Sequence, residues 1–261
     1  AYAGFILELL DCAVKCLACS DNADLYFVGR SPESIYDLLS GILRGTSWTG
    51  RVHLLHFSMR YDEEAEVRRE YPGAVEALRA YLCTLNLSPQ QIIASEHGVA
   101  FSDIVASGST LGNLVRILYH WCKDARCDWR AIKAKLRVVA IVEREKPTPH
   151  AWRWWQQDTA TCVPLLWRQA ITNIAVSGSF FHYLGAKQQK TTISYTPERW
   201  ATGEASHPAH HTGHLEALRL ALHIYETGRE TPLRRAFAHQ MAHERAMRYA
   251  WFRSLAHEIK G

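Results

Sequence analysis

The densest chemistry in the chain lies between Val99 and Thr110. An apolar run, Val99-Ala100-Phe101, leads into Ser102 and one carboxylate, Asp103. Ile104 and Val105 follow, then Ala106-Ser107-Gly108-Ser109-Thr110, small and hydroxyl residues that open onto helical spacing at Leu111, Leu114, Val115 and Leu118. A strand, a small-residue loop and a helix start make a phosphate site by physical logic. N–H groups at a helix N-terminus carry partial positive charge, Gly108 permits close approach, and the hydroxyls donate to phosphate oxygens. Asp103, at the carboxyl end of the strand, would then face a sugar, because ligands of open α/β sheets bind at that edge. The plainer alternative is that the Ser/Gly/Thr turn only caps the helix.

These residues, Phe101 to Thr110, resemble the phosphoribosyl-diphosphate (PRPP) signature of the type I phosphoribosyltransferases: two acids, a few variable residues, then Ser/Thr-Gly-x-Thr. The likeness covers about a dozen residues closely and residues 24 to 142 in element order. It implies that Ala106, Ser107, Gly108, Ser109 and Thr110 hold the 5′-phosphate and that Ser102 and Asp103 meet the ribose. Asp103 becomes the catalytic residue and the contact to Mg²⁺. Gly29-Arg30-Ser31 stands where the family binds diphosphate, and the charged tract 60 to 71 where a mobile loop closes over PRPP. The implied reaction moves the 5-phosphoribosyl group to a nitrogenous or aromatic ring and releases diphosphate. This chain departs from the signature at Ser102, which replaces the first acid. One carboxylate fewer leaves a second expectation open, a non-catalytic module of the same fold that binds PRPP or a nucleotide. No general base is identified; Glu63, Glu64 and Glu66 qualify by position alone, inside a run that also reads as a solvated face.

Other spacings compete. Cys12, Cys16 and Cys19 have the CxxxCxxC spacing of the radical S-adenosylmethionine enzymes, whose three thiolates hold an iron–sulfur cluster. Here they also lie on an amphipathic pattern, and free cysteines are commonly core residues. His207, His210, His211 and His214 crowd one segment, and His239 and His243 stand four apart; either set is a zinc candidate or a solvated polar surface. Trp152, Trp154 and Trp155 could stack on an acceptor ring or fill a core.

The elements that must position these groups follow from periodicity. Phe5, Leu9, Cys12, Cys16 and Cys19 give one buried helical face. Leu25 to Val28 predicts a strand, and Ser31 as N-cap with Pro32 behind it predicts a helix through Leu43. Strands are also predicted at Val52 to Phe57, from Val99, at Leu136 to Val142 and at Asn173 to Val176, and a helix at Gly73 to Leu85. Residues 60 to 71 read as a mobile loop or a solvated helix. Alternating strands and helices predict an α/β protein, a mostly parallel sheet with helices on both faces. Residues 1–20 and 186–261 are expected to form a helical hood over a core at 21–185.

Composition narrows the partners. At 261 residues the chain folds without disulfides. With 48% hydrophobic and 21% charged residues it is globular rather than disordered. Lys+Arg 30 against Asp+Glu 26 leaves +4, spread along the chain, which does not imply nucleic acid. Gly4 to Cys19 holds Glu8, Asp11 and Lys15, too many charges for a membrane span, and lacks a secretory cleavage pattern. Seven cysteines, an odd count, favour a reducing cytoplasm. Expected partners are PRPP and a small ring acceptor, with homodimer formation left open.

Overall fold

The structure, a computed structural model, describes residues 2–59, 64–144, 154, 163–203 and 212–261. Helix α1 (Tyr2–Cys19) precedes β1 (Asp24–Val28), α2 (Glu33–Ile42) and β2 (Val52–Leu55). Then come α3 (Glu64–Glu70), α4 (Ala74–Thr84), α5 (Pro89–Ala94), β3 (Val99–Ile104), α6 (Ser109–Asp124), α7 (Trp129–Lys135) and β4 (Leu136–Glu143). Strand β5 (Ile171–Val176) leads to α8 (Gly178–His182), a π-helical turn at Tyr183–Lys187 and α9 (Pro197–Ala201). Helices α10 (His214–Arg229), α11 (Thr231–Met241) and α12 (Ala250–Lys260) complete the described chain.

The five strands form one all-parallel sheet in the order β2-β1-β3-β4-β5. From β1 the chain moves to one side, to β2, and then crosses back past β1 to β3 and β4. Parallel crossovers are right-handed, so this reversal puts the connecting helices on opposite faces. Accordingly α1 and α2 share one apolar cluster with Leu25, Phe27, Ala100 and Val139. Helices α4 to α7 share the other with Tyr26, Phe101, Val138 and Ala140. Both faces are covered, which is why β1, β3 and β4 read as nearly continuous apolar runs. Reversal of strand order also opens a crevice between β1 and β3 at their carboxyl ends, the place where doubly wound sheets bind ligands.

The terminal helices divide between two places. The N-terminal end of α1 reaches the carboxyl edge, where Glu8 accepts hydrogen bonds from the Ser177 amide (2.7 Å) and hydroxyl (2.8 Å). Helix α10 lies on α2 through two glycines; a Cβ on Gly41 would stand 2.1 Å from the Tyr225 carbonyl, and one on Gly228 2.6 Å from that of Leu38. Helix α12 packs at the far end of α2: Glu258 accepts from the Ser47 amide, and Trp251 stacks on Trp48. Of the later helices, α8 reaches β4, α9 packs on α4, α11 lies on α1 and α12 on α11.

Two sequence expectations change. The helix after β1 begins at Glu33 with Pro32 in the cap position and no side-chain cap, so Ser31 is not its N-cap. The described part of the charged tract, 64 to 71, holds a short helix docked through buried Glu64 and Val67 rather than a solvated one. Among the described residues no helix is long and apolar enough to cross a membrane.

Candidate active site

At the crevice lies a cavity of about 190 Å³. Gly29, Arg30 and Ser31 line it from the loop after β1, Phe57 and Ser58 from the tail of β2, Asp103 from β3 and Thr110 from the first turn of α6. Gly185, Ser194 and Tyr195 close it from the segment after β5. Three separate sequence signals, residues 29–31, Asp103 and Thr110, thus meet at one place.

Local backbone explains the meeting. Gly29 adopts φ +76° and its amide donates to the Leu55 carbonyl at 2.9 Å, turning the chain away as β1 ends. Gly108 adopts φ +80° as the N-cap of α6 with no side-chain cap, so α6 presents its first-turn amides at the edge. Buried Asn113 ties this helix to the β2 tail by donating to the Met59 carbonyl at 3.0 Å.

Not every predicted residue arrives. Ser102 is fully buried on the opposite side of β3, its hydroxyl 3.9 Å from the Cys16 thiol. Successive strand side chains alternate faces, so Ser102 and Asp103 cannot both meet one ribose. Ala106 is exposed, and Ser107 and Ser109 turn to each other, with hydroxyls 3.2 Å apart and the Ser109 amide 3.5 Å from the Ser107 oxygen. Of the predicted phosphate loop, Thr110 alone lines the cavity, among the described residues, with Gly108 buried beneath it.

Asp103 is 8% exposed and accepts a hydrogen bond from the Ile104 amide at 2.7 Å. Burial pushes its carboxyl up to about 8, against the opposing effects of that bond and of Lys190 nearby. Lys190 carries no recognisable motif and escaped the sequence reading. It is 7% exposed, and its ammonium donates to the carbonyls of Leu184 (2.6 Å) and Ser31 (3.3 Å). Burial lowers it to about 8, with Arg30 adding to the decrease and Glu33, Asp103 and Asp37 opposing it. Asp37, on α2, is raised to about 8 by burial and by Glu33. The segment holding Lys190 is strapped to the start of α2: Glu33 accepts from the Thr191 amide (2.9 Å) and the Thr192 hydroxyl (3.0 Å). Tyr195 is fixed between rings and charge, stacked on His56 at 4.5 Å with the Arg199 guanidinium 4.4 Å over its face.

The other candidates sit elsewhere. Glu64 accepts from Arg68 (2.7 Å) and Arg79 (3.1 Å), tying α3 to α4, and Glu66 lies on the same helix; neither lines the cavity, and Glu63 is outside the described residues. Cys12 and Cys16 are buried in the core; burial holds the Cys16 thiol well above its ordinary value and that of Cys19 at about 12. Among the described residues no three His, Cys, Asp or Glu side chains are grouped to hold a metal. Trp154 is buried and donates to Asn173 on β5 at 2.9 Å, a packing role. Trp152, Trp155, His207, His210 and His211 lie outside the described residues. His239 and His243 are exposed, with rings 5.2 Å apart, and do not line the cavity.

Mg²⁺ held by the protein does not fit this site. Asp103 is the cavity's one carboxylate among the described residues, its Oδ1 is engaged by an amide, and the Lys190 ammonium shares its surroundings. No protein-family model, curated protein or solved structure matches this chain.

Proposed function

We propose that the protein binds a phosphorylated ribose at the β1/β3 crevice and, as a phosphoribosyltransferase, transfers the 5-phosphoribosyl group of PRPP to a ring nitrogen. The observation that carries this reading is the convergence of residues 29–31, Asp103 and Thr110 on one cavity at the switch point of the sheet. The first-turn amides of α6 and the Thr110 hydroxyl face the 5′-phosphate. The free oxygen of Asp103 hydrogen-bonds a ribose hydroxyl, donating while the carboxyl holds its proton and accepting above about pH 8, and Arg30 lies beside the diphosphate. In the reaction the bond from carbon 1 to the diphosphate oxygen breaks with its electron pair leaving on diphosphate. The acceptor nitrogen forms the new bond and loses its proton to solvent or buffer. Charge develops on the leaving diphosphate, so donors already aimed at it lower the barrier. Gly29, Arg30, Ser31, Asp103 and Thr110 line the cavity on the phosphosugar side, and no described residue among its lining is assigned to a ring acceptor. The acceptor then approaches from outside, and any Mg²⁺ arrives as the counter-ion of the substrate's diphosphate.

One observation favours binding without turnover: with Ser102 behind the sheet, Asp103 is the only carboxylate at the cavity among the described residues. A screen for diphosphate release from PRPP with purine, pyrimidine, pyridine and aromatic-acid acceptors separates the two readings. Release dependent on one acceptor supports the transferase, whereas PRPP binding with no release under any acceptor supports the binding module.

A further inference from the structure

Lys190 is the least expected residue at the carboxyl edge. A buried ammonium requires compensation, and this one donates hydrogen bonds to the loop after β1 and to the turn after α8. Its hydrogen bonds reach Ser31 in the loop after β1 and Leu184 in the turn after α8, and Gln188 Oε1 stands at 3.5 Å. The charged groups facing it are Glu33 and Asp37 from α2, Arg30 from the loop after β1 and Asp103 from β3. Ser31 and Asp103 line the cavity, as does Gly185, the neighbour of Leu184. Lys190 itself does not line it. The same segment binds α2 through Glu33 and hands Ser194 and Tyr195 to the cavity wall, while Arg30 donates to the Thr192 carbonyl at 3.4 Å.

We infer that Lys190 is a positioning residue of the phosphosugar site: its ammonium pins the diphosphate-side loop to the closing turn and sets the charge surrounding Asp103. This rests on the functional reading above and adds to it a residue some 160 positions from the loop it holds. Purely structural packing would need only the length of the side chain. The positioning role needs its charge, because an anionic ligand entering beside Arg30 and Asp103 is favoured by the ammonium and not by a neutral amine.

The test is calorimetric titration of the full chain and of Lys190→Met with PRPP, and with ribose 5-phosphate, from pH 6.5 to 9.5. Because burial places Lys190 at about 8, affinity for PRPP in the unsubstituted protein is expected to fall on the alkaline side of that value. In folded Lys190→Met, affinity is expected to be about tenfold weaker or worse, and the alkaline fall to become shallower, the remainder coming from Asp103. Unchanged affinity and an unchanged alkaline fall in a folded Lys190→Met would overturn the inference while leaving the site intact. If that variant does not fold, Lys190→Arg decides, since it keeps its charge across this range while Asp103 still titrates: a shallower alkaline fall than in the unsubstituted protein supports the role and an identical profile overturns it. No binding of either ligand by the unsubstituted protein would overturn the site reading itself, and the inference with it.

Discussion

Asp103 shows how a functional group is held against its own preference. Its carboxyl is raised to about 8 by burial, whereas an unfolded aspartate titrates near about 3.9. The folded state therefore binds this proton more tightly. The contribution of Asp103 to stability is most favourable below about pH 4 and is lost progressively as pH rises towards 8. Asp103→Asn keeps an acceptor for the Ile104 amide and removes the buried charge. Its melting temperature should exceed that of the unsubstituted protein by about 2 °C or more at pH 8.5, with a smaller gain at pH 5, and its PRPP binding should be weaker at pH 8.5, where it lacks the carboxylate acceptor. Scanning calorimetry at both pH values checks the first statement and titration the second; equal melting temperatures or retained affinity would refute the placement of Asp103. At this scale Gly29, Arg30, Ser31, Asp103 and Thr110 were legible because each sits at the end of a strand or the start of a helix. Ser102 was misplaced because strand alternation, not adjacency, decides which side chain reaches the edge. Lys190 was illegible: a lysine between Gln189 and Thr191 shows no periodicity, and its burial exists only through tertiary contact.

Helix α6 presents its N-terminus at the cavity because Gly108 takes a left-handed conformation that costs other residues about 1–2 kcal/mol. Gly108→Ala should destabilise by roughly that amount in urea unfolding and weaken ribose 5-phosphate binding in parallel. Loss of stability with unchanged binding would separate the turn from the site. The α2–α10 crossing depends on a closer approach, with no room for a methyl group on Gly41. Gly41→Ala should cost about 1–3 kcal/mol in the same assay, and a neutral result would contradict the packing. Helices α1, α4 and α6 were legible from apolar spacing. Short helices such as α5 and α7 were not among the expectations, although α5 carries a complete capping box, Ser88 with Gln91, and α7 begins after Asp128, which caps the Arg130 amide. Six or seven residues are too few for periodicity to speak, so their capping residues were the available signal.

The whole molecule places its chemistry by topology. Strand, loop and helix alternate from β1 to β4, and the right-handed crossover rule converts that alternation into a two-faced parallel sheet. The one reversal of strand order makes the crevice. That architecture was legible because each strand is buried on both faces and so reads as an apolar run. The course of the C-terminal half was not: whether α11 and α12 lie over the carboxyl edge or extend the layer over α1 and α2 depends on contacts such as Glu258 with Ser47, far apart in sequence. The central claim is that the crevice is a phosphosugar site, and titration of the full chain with PRPP, with and without Mg²⁺ and beside ribose 5-phosphate, tests it most directly. Saturable PRPP binding with a Kd of about 10 μM or tighter, abolished by Asp103→Ala, is the predicted result. No heat and no thermal stabilisation with either ligand would contradict it and leave the first turn of α6 as a helix cap.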